Sequence, residues 1–283
     1  MNILLVGATS PIGQNLRLAL SAQHKVFTAG RTEGDLIWDL RNISRPLSMK
    51  SIEVDVIINL TASYGGRLAE EIIDAEIVNV IGALRICDLA VKSNVKHLVL
   101  ISSILSLLNE DSRYFGIYPL SKRHSEEIIN LFCADKSLSV SILRPSQVYG
   151  DDDRFRKNQP FFYTIMDQVL RGEEIRIDGS NDPKRNYMHV DDLVTVITKV
   201  VEGRILGAYT CQHPTDVSYS EIANIAINLV NSKSHVKFNA DKPDIADKVF
   251  GSDNELYSRI GFQPSVSIKE GLWRIIQNKK KTE

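Results

Sequence analysis

Tyr118 and Lys122 stand four residues apart in the stretch YFGIYPLSKRH at 114–124, with Ser121 just before the lysine. On a helix that spacing puts two side chains on one face, a turn apart. A phenol so placed could pass a proton to or from a substrate oxygen, and a neighbouring ammonium would lower its pKa from the ordinary ~10. A tenfold easier ionisation requires ~1.4 kcal/mol of preferential phenolate stabilisation, within reach of a close, partly desolvated ammonium. Nine tyrosines in the chain make a chance surface pair an equal reading of the spacing alone, so the rest of the sequence has to decide. A second stretch with chemistry in it is GATSPIG at 7–13. Gly7 and Gly13 fit a GxxGxxG turn in which Ser10 replaces the middle glycine. Such a turn lets backbone N–H groups and a helix N-terminus face a pyrophosphate. Pro11 suits the first helical turn, where a missing N–H costs little.

The elements that must hold these residues can be read from the hydrophobic pattern. Strand-like runs at 2–6, 25–29, 35–38, 54–60, 96–102 and 139–143 alternate with helices predicted at 12–22 and about 68–92 and 113–133. Continuous apolar strands between amphipathic helices predict a parallel sheet covered on both faces, a doubly wound (Rossmann) α/β fold. After Pro145 the texture turns polar. Helices near 160–171, 191–202, 218–231 and 267–278 and strands near 174–177, 207–211 and 236–238 follow. We expect residues 1–150 to form the dinucleotide-binding domain, with 189–212 returning to it. Residues 151–188 and 213–283 would form a smaller, C-terminal substrate lobe.

Composition narrows the classes. With 283 residues, 43% hydrophobic content and a net charge of −1, the chain has the makings of a packed core and no electrostatic attraction for nucleic acid or an anionic membrane. No apolar run approaches the ~20 residues of a membrane span, and the N-terminus reads as a strand rather than a signal peptide. Cys87, Cys133 and Cys211 are far apart in the sequence and odd in number, which favours reduced core thiols over disulfides or metal ligands. A cytoplasmic protein without a metal is expected.

The end of the second strand bears on cofactor choice. An acid there would accept hydrogen bonds from the ribose hydroxyls of NAD; TAGRTEGD instead offers Arg31, whose guanidinium suits the 2′-phosphate of NADP. NADP(H) is therefore favoured and NAD(H) is the alternative. Asp39 could bond the adenine amino group or cap the next turn.

Taken in order, GATSPIG, NLTA (59–62), ISS (101–103), YPLSK (118–122), LRPSQVYG (143–150) and RNYMHVDD (185–192) resemble the extended short-chain dehydrogenase/reductase family. The branch they resemble holds the nucleotide-sugar epimerases, dehydratases and ketoreductases. LYSRIGFQPSVSIKEGL, near the end, is similar to that branch's C-terminal lobe. The resemblance implies a catalytic set of Ser103, Tyr118 and Lys122, in which Lys122 also holds the nicotinamide ribose. Ser102 is the rival of Ser103. It further implies cofactor contacts from Gly7, Thr9, Ser10, Pro11, Ile12, Gly13, Arg31, Asp39, Leu40, Leu60, Thr61, Ala62 and Pro145, with Asn79 buttressing the 60–62 segment. Arg185 falls where the branch places an arginine on the substrate diphosphate, Gln147 where many relatives carry asparagine, and Tyr64 beside the sugar. His189 reads as a buried structural residue, and Asp191 and Asp192 as the start of a helix.

Three functions follow from the resemblance. The first is reduction of a keto group, at C4, of a nucleotide-linked hexose by NADPH, making a deoxysugar donor for surface polysaccharide. The second is C4 epimerisation with a retained NAD, and the third a non-catalytic dinucleotide sensor, against which the intact tyrosine–lysine pair argues. Dehydration is excluded: SSILS has no carboxylate before Glu110, so the Asp–Glu proton carriers that such enzymes place after the serine are missing. Family dimers join through a four-helix bundle, to which the helices at about 68–92 and 113–133 would contribute.

Overall fold

The apolar runs of the N-terminal half become strands because β-branched and aliphatic side chains fill both faces of a sheet covered by helices. The computed structural model describes residues 1–49, 52–251 and 253–282. Within it β1 (Asn2–Val6), β2 (Lys25–Gly30), β3 (Leu36–Ile37), β4 (Val56–Asn59), β5 (His97–Ile101), β6 (Ser139–Pro145) and β10 (Gly207–Cys211) form one sheet among the described residues. Its order is β10-β6-β5-β4-β1-β2-β3 and every pairing is parallel. Strand order reverses beside β1, where a doubly wound sheet opens a crevice at its carboxyl edge. The chain is thus a Rossmann-type α/β protein.

Helix α1 (Pro11–Leu20) begins where the glycine turn predicts. The Ser10 hydroxyl caps it by accepting from Gly13 N at 3.1 Å. The predicted helix over 68–92 is three pieces in line: α2 (Ala69–Glu76), a π-helical turn at Ile77–Ile81 and α3 (Gly82–Lys92). A π turn inserts one extra residue per turn and re-aims its side chains. The helix carrying Tyr118, α4 (Ile117–Asp135), starts four residues later than expected, after Gly116. Leu4, Ile57, Ile86, Leu98, Ile129 and Ile142 pack a core between sheet and helices.

Two compact units are formed. The first comprises 1–145, 194–211 and 253–262, and the second 146–193, 212–252 and 263–283. The first boundary falls at Pro145, where β6 ends. The short helix α8 (Glu255–Ile260), absent from the elements expected, packs on β10, so 253–262 belongs to the sheet unit rather than to the lobe. The second unit holds a sheet of β7 (Gln147–Tyr149), β9 (Lys184–His189) and β11 (Asp216–Ser218), and a parallel pair of β8 (Ile175–Asp178) and β12 (Val236–Asn239). Helices α5 (Pro160–Arg171), α7 (Tyr219–Val230) and α9 (Ile268–Thr282) pack in turn, while α6 (Val190–Gly203) has residues in both units. No helix among the described residues is long and apolar enough to cross a membrane.

Candidate active site

Gly7 closes β1 with φ +87°, a conformation that a side chain would strain. A Cβ there would also stand 3.2 Å from the backbone of Leu60 and Thr61. At Gly13 a Cβ would lie 2.7 Å from Gly7 O and 2.8 Å from Ala8, so only glycine lets the first turn of α1 sit down on the loop. The result is a helix N-terminus against a tight backbone cradle, the setting that receives a pyrophosphate. Thr9, Ser10, Pro11 and Ile12 complete the turn. Arg31 is exposed at the end of β2. Its charge, with that of Arg41, acts on Asp74. Burial alone would push that carboxyl up, but hydrogen bonds from Ser63 and Arg41 and the two positive charges hold it below the usual range. Asp39 accepts from Arg41 N at 3.0 Å, so its carboxylate caps the turn after β3. Leu40 is buried against Gly82, and Leu60 and Pro145 are buried at strand ends.

The segment after β4 is fixed by short bonds. Asn59 Oδ1 accepts from Thr61 N at 3.0 Å and from its hydroxyl at 2.7 Å. Asn79, in the π turn, accepts from Ser63 N at 2.8 Å and donates to Ser63 O at 2.7 Å and Ser121 Oγ at 2.8 Å. Asn79 is 2% exposed and both its amide hydrogens go to protein acceptors, so it fastens the segment after β4 to α4. Ala62 is exposed beside it.

Tyr118 and Lys122 point to the same side of α4. The Lys122 ammonium, 2% exposed, donates to Thr61 O and Ile101 O, each at 3.1 Å, and lies 6.0 Å from the centre of the Tyr118 ring. It is therefore drawn to the carboxyl ends of β4 and β5. Burial lowers its pKa to about 8 against the opposing effect of Glu126. The Tyr118 phenol hydrogen-bonds to the Ser103 side chain. Ser102, its rival, is turned away and donates to Glu126. The structure thus distinguishes the two serines by what each touches.

One expectation fails here. The phenol was expected to be eased toward ionisation by Lys122. Instead burial, and next the neighbouring Tyr64, push it above the ordinary tyrosine value, and only the Ser103 hydrogen bond opposes this. The reason is geometric: the ammonium is turned toward two main-chain carbonyls, while the Tyr64 ring stacks on Tyr118 at 4.7 Å and 29°.

The remaining candidates lie in the second unit. Gln147 Nε2 donates to Gln159 at 2.6 Å. Arg185 is 3% exposed, and its Nη1 donates to Lys184 O at 2.7 Å and Ala246 O at 2.9 Å, with the guanidinium over the Tyr219 ring. Those carbonyls tie β9 to the 246 segment, a fastening role that the sequence did not indicate. His189 is fully buried between Asp151, at 2.9 Å, and the backbone N–H of Asp191, at 3.2 Å, and Arg274 occupies Asp191 at 2.8 Å. Both ring nitrogens serve structure.

Glu126 is a residue of the site that sequence reasoning missed. It is 5% exposed, sits one turn beyond Lys122, and accepts from Ser102, Ser106 (2.8 Å) and Arg144 Nε and Nη2 (2.9 and 2.6 Å). The signal that could have found it is a carboxylate four residues after the lysine together with an arginine in the otherwise apolar strand SVSILRP.

Comparison with known proteins places this geometry. The model of the NAD dependent epimerase/dehydratase family matches residues 3–207. CDP-abequose synthase of Salmonella muenchen is 24% identical over 296 residues, covering 98% of each chain. UDP-glucuronic acid decarboxylase 1 of Danio rerio is 24% identical over 160 residues, 56% of this chain and 38% of that one. Among solved structures, UDP-glucose 4-epimerase of Thermotoga maritima with UDP-glucose superposes with a TM-score of 0.79 at 19% identity, covering 100% and 99% of the two chains. RMD from Pseudomonas aeruginosa complexed with NADPH gives 0.79 at 15% over the same shares. The chain belongs to the NAD dependent epimerase/dehydratase family, within the extended short-chain dehydrogenase/reductases.

Proposed function

We propose that the chain reduces the keto group, at C4, of a nucleotide-linked hexose with NADP(H), as a step in making a deoxysugar for surface polysaccharide. The observation that carries this reading is the meeting of Ser103, Tyr118 and Lys122 at the carboxyl ends of β4 and β5, where burial pushes the phenol's pKa above the ordinary tyrosine value. A neutral phenol is the right starting state for giving a proton to a carbonyl oxygen, whereas oxidising an alcohol, the first half of an epimerisation, needs the phenolate. The full-length match to CDP-abequose synthase supports a deoxysugar product.

The glycine cradle and the α1 N-terminus fit the diphosphate of a nicotinamide dinucleotide, Arg31 its 2′-phosphate, and Lys122 the nicotinamide ribose. When bound, that cofactor supplies the hydride. The protein does the rest. Ser103 and Tyr118 hydrogen-bond the carbonyl oxygen and polarise it. Tyr118 gives up its proton as negative charge develops on that oxygen. Lys122, its ammonium anchored on Thr61 O and Ile101 O, keeps the nicotinamide ribose in place while the phenolate regains a proton from solvent. Tyr64, stacked on Tyr118, is proposed beside the sugar.

We also infer a homodimer. Ile73 and Ile81 are exposed on the α2–α3 segment, at 56% and 40%, and Leu120 and Leu131 on α4, at 41% and 74%. Leu120 and Leu131 are eleven residues apart, three turns, and so share a face.

Mass spectrometry of nucleotide retained through purification, followed by turnover tests on 4-keto and 4-hydroxy nucleotide sugars, tests the reading. Consumption of NADPH with a 4-keto substrate is expected. Isomerisation of the 4-hydroxy sugar without net consumption would replace reduction by epimerisation.

A further inference from the structure

Glu126 is a buried carboxylate with no part in the proton transfer, yet it reaches both ends of the catalytic set. One oxygen takes hydroxyls from Ser102, which precedes Ser103 at the end of β5, and from Ser106 on the 3₁₀ turn Ile104–Leu107. The other oxygen is clamped by Arg144 of β6. Ser103 caps the same 3₁₀ turn by accepting from Leu105 N at 3.2 Å, so the turn that Glu126 holds also fixes the Ser103 side chain. A buried ion pair is retained at a desolvation cost, which makes its position beside a reacting group informative.

Charge completes the picture. Glu126 and Tyr118 lie on the helix of Lys122, and Tyr64 covers Tyr118 from the segment after β4. Arg144 approaches from β6, beyond Glu126. The π turn and α3 present neutral Asn79, through Ser121. The end of β5 and the 3₁₀ turn present serine hydroxyls, and Arg123 of α4 is spent on Ser106 O and Leu108 O. The Glu76–His124 pair joins α2 to α4 at the exposed surface. Glu126 is accordingly the anion that opposes the effect of burial on Lys122.

We propose that Glu126 is the positioning residue of this site: its negative charge holds Lys122 as an ammonium, and its grip on Ser102 and Ser106 sets the Ser103 hydroxyl toward Tyr118. The proposal rests on the assignment of Ser103, Tyr118 and Lys122 as the catalytic set. Without Glu126, Lys122 would face the Arg144 charge and its own burial with no counter-charge, and would release its proton at lower pH.

Glu126→Gln separates this role from general stabilisation. The alkaline limb of the kcat/KM profile, followed with NADPH and the 4-keto nucleotide sugar that turnover identifies, is expected to move down by about one pH unit. The apoprotein gives a second readout. Lys122 binds its proton less tightly folded than unfolded, so it adds stability as pH rises from about 8 toward its unfolded value. In Glu126→Gln that rise in denaturant-unfolding stability should begin about one pH unit lower. A limb and an onset that both stay in place would overturn the proposal. Should Glu126→Gln not fold, the Ser102→Ala/Ser106→Ala variant keeps both charges. It is expected to lose at least about tenfold in kcat with the limb unmoved, and a rate within about twofold of the parent would overturn the proposal. Tyr118→Phe run in parallel separates the two layers: retained turnover there defeats the catalytic assignment itself, whereas the apoprotein readout reports on Glu126 alone.

Discussion

In the proposed reduction Tyr118 is the acid, and that single protonation state orders the chemistry around it. Burial and the Tyr64 ring push the phenol above the ordinary tyrosine value, while Lys122, held at two strand ends, is the proposed donor to the nicotinamide ribose as the proton leaves. The lysine must be charged at that moment. With its pKa lowered to about 8, the protonated form is lost as pH rises through that value. We therefore expect kcat/KM to be sustained below about pH 8 and to fall above it, in a profile measured with NADPH saturating. Cofactor choice is the other property that one residue can decide. Arg31→Asp removes the group suited to a 2′-phosphate and should shift the ratio of kcat/KM from NADPH toward NADH by at least about tenfold; an unchanged ratio would place the 2′-phosphate elsewhere. The tyrosine–lysine pair was legible in the sequence because helical spacing fixes which side chains share a face. The direction in which the phenol's pKa moves was not, because it depends on where the ammonium is turned and on a ring, Tyr64, from another segment.

At the scale of elements, the glycine turn and its helix could be read directly: Gly7 needs a left-handed backbone, and Gly13 has backbone at 2.7 Å where a side chain would begin. The π turn at Ile77–Ile81 could not, since apolar periodicity over 68–92 fits one uninterrupted helix. Its consequence is local and measurable. It aims Asn79 at Ser63 and Ser121, so that one buried amide fastens the segment after β4 to α4. Asn79→Ala leaves those backbone groups without a partner and should cost about 1–3 kcal/mol in chemical denaturation. NADPH affinity should fall with it, because Thr61 O, which receives Lys122, lies on the loosened segment. A stability unchanged within about 0.5 kcal/mol would show that water replaces the amide at no cost. The strands β7, β9 and β11 escape a sequence pattern for a related reason. They are short, and RNYMHVDD contains charge and amide that a strand pattern does not ask for.

For the whole molecule, alternating strands and helices predicted the parallel sheet, and the structure supplies the strand order. The strand at 207–211 that returns to the sheet was legible, whereas α8 was not, because it is short and lies far along the sequence from the β10 strand it covers. The exposed apolar residues on α2, the π turn and α4 bear on assembly. We expect a dimer mass by light scattering, and a monomer with folded far-ultraviolet signal for Leu131→Glu; a monomeric parent would remove the dimer from the account. The reaction assigned to the molecule is tested most directly by isotope transfer. The protein is supplied with NADPH carrying deuterium at both C4 positions of the nicotinamide and with a nucleotide-linked 4-ketohexose. The account predicts one deuterium on C4 of the sugar product for each NADPH consumed. A product with no deuterium at that carbon, or a changed sugar with no NADPH consumed, would contradict it.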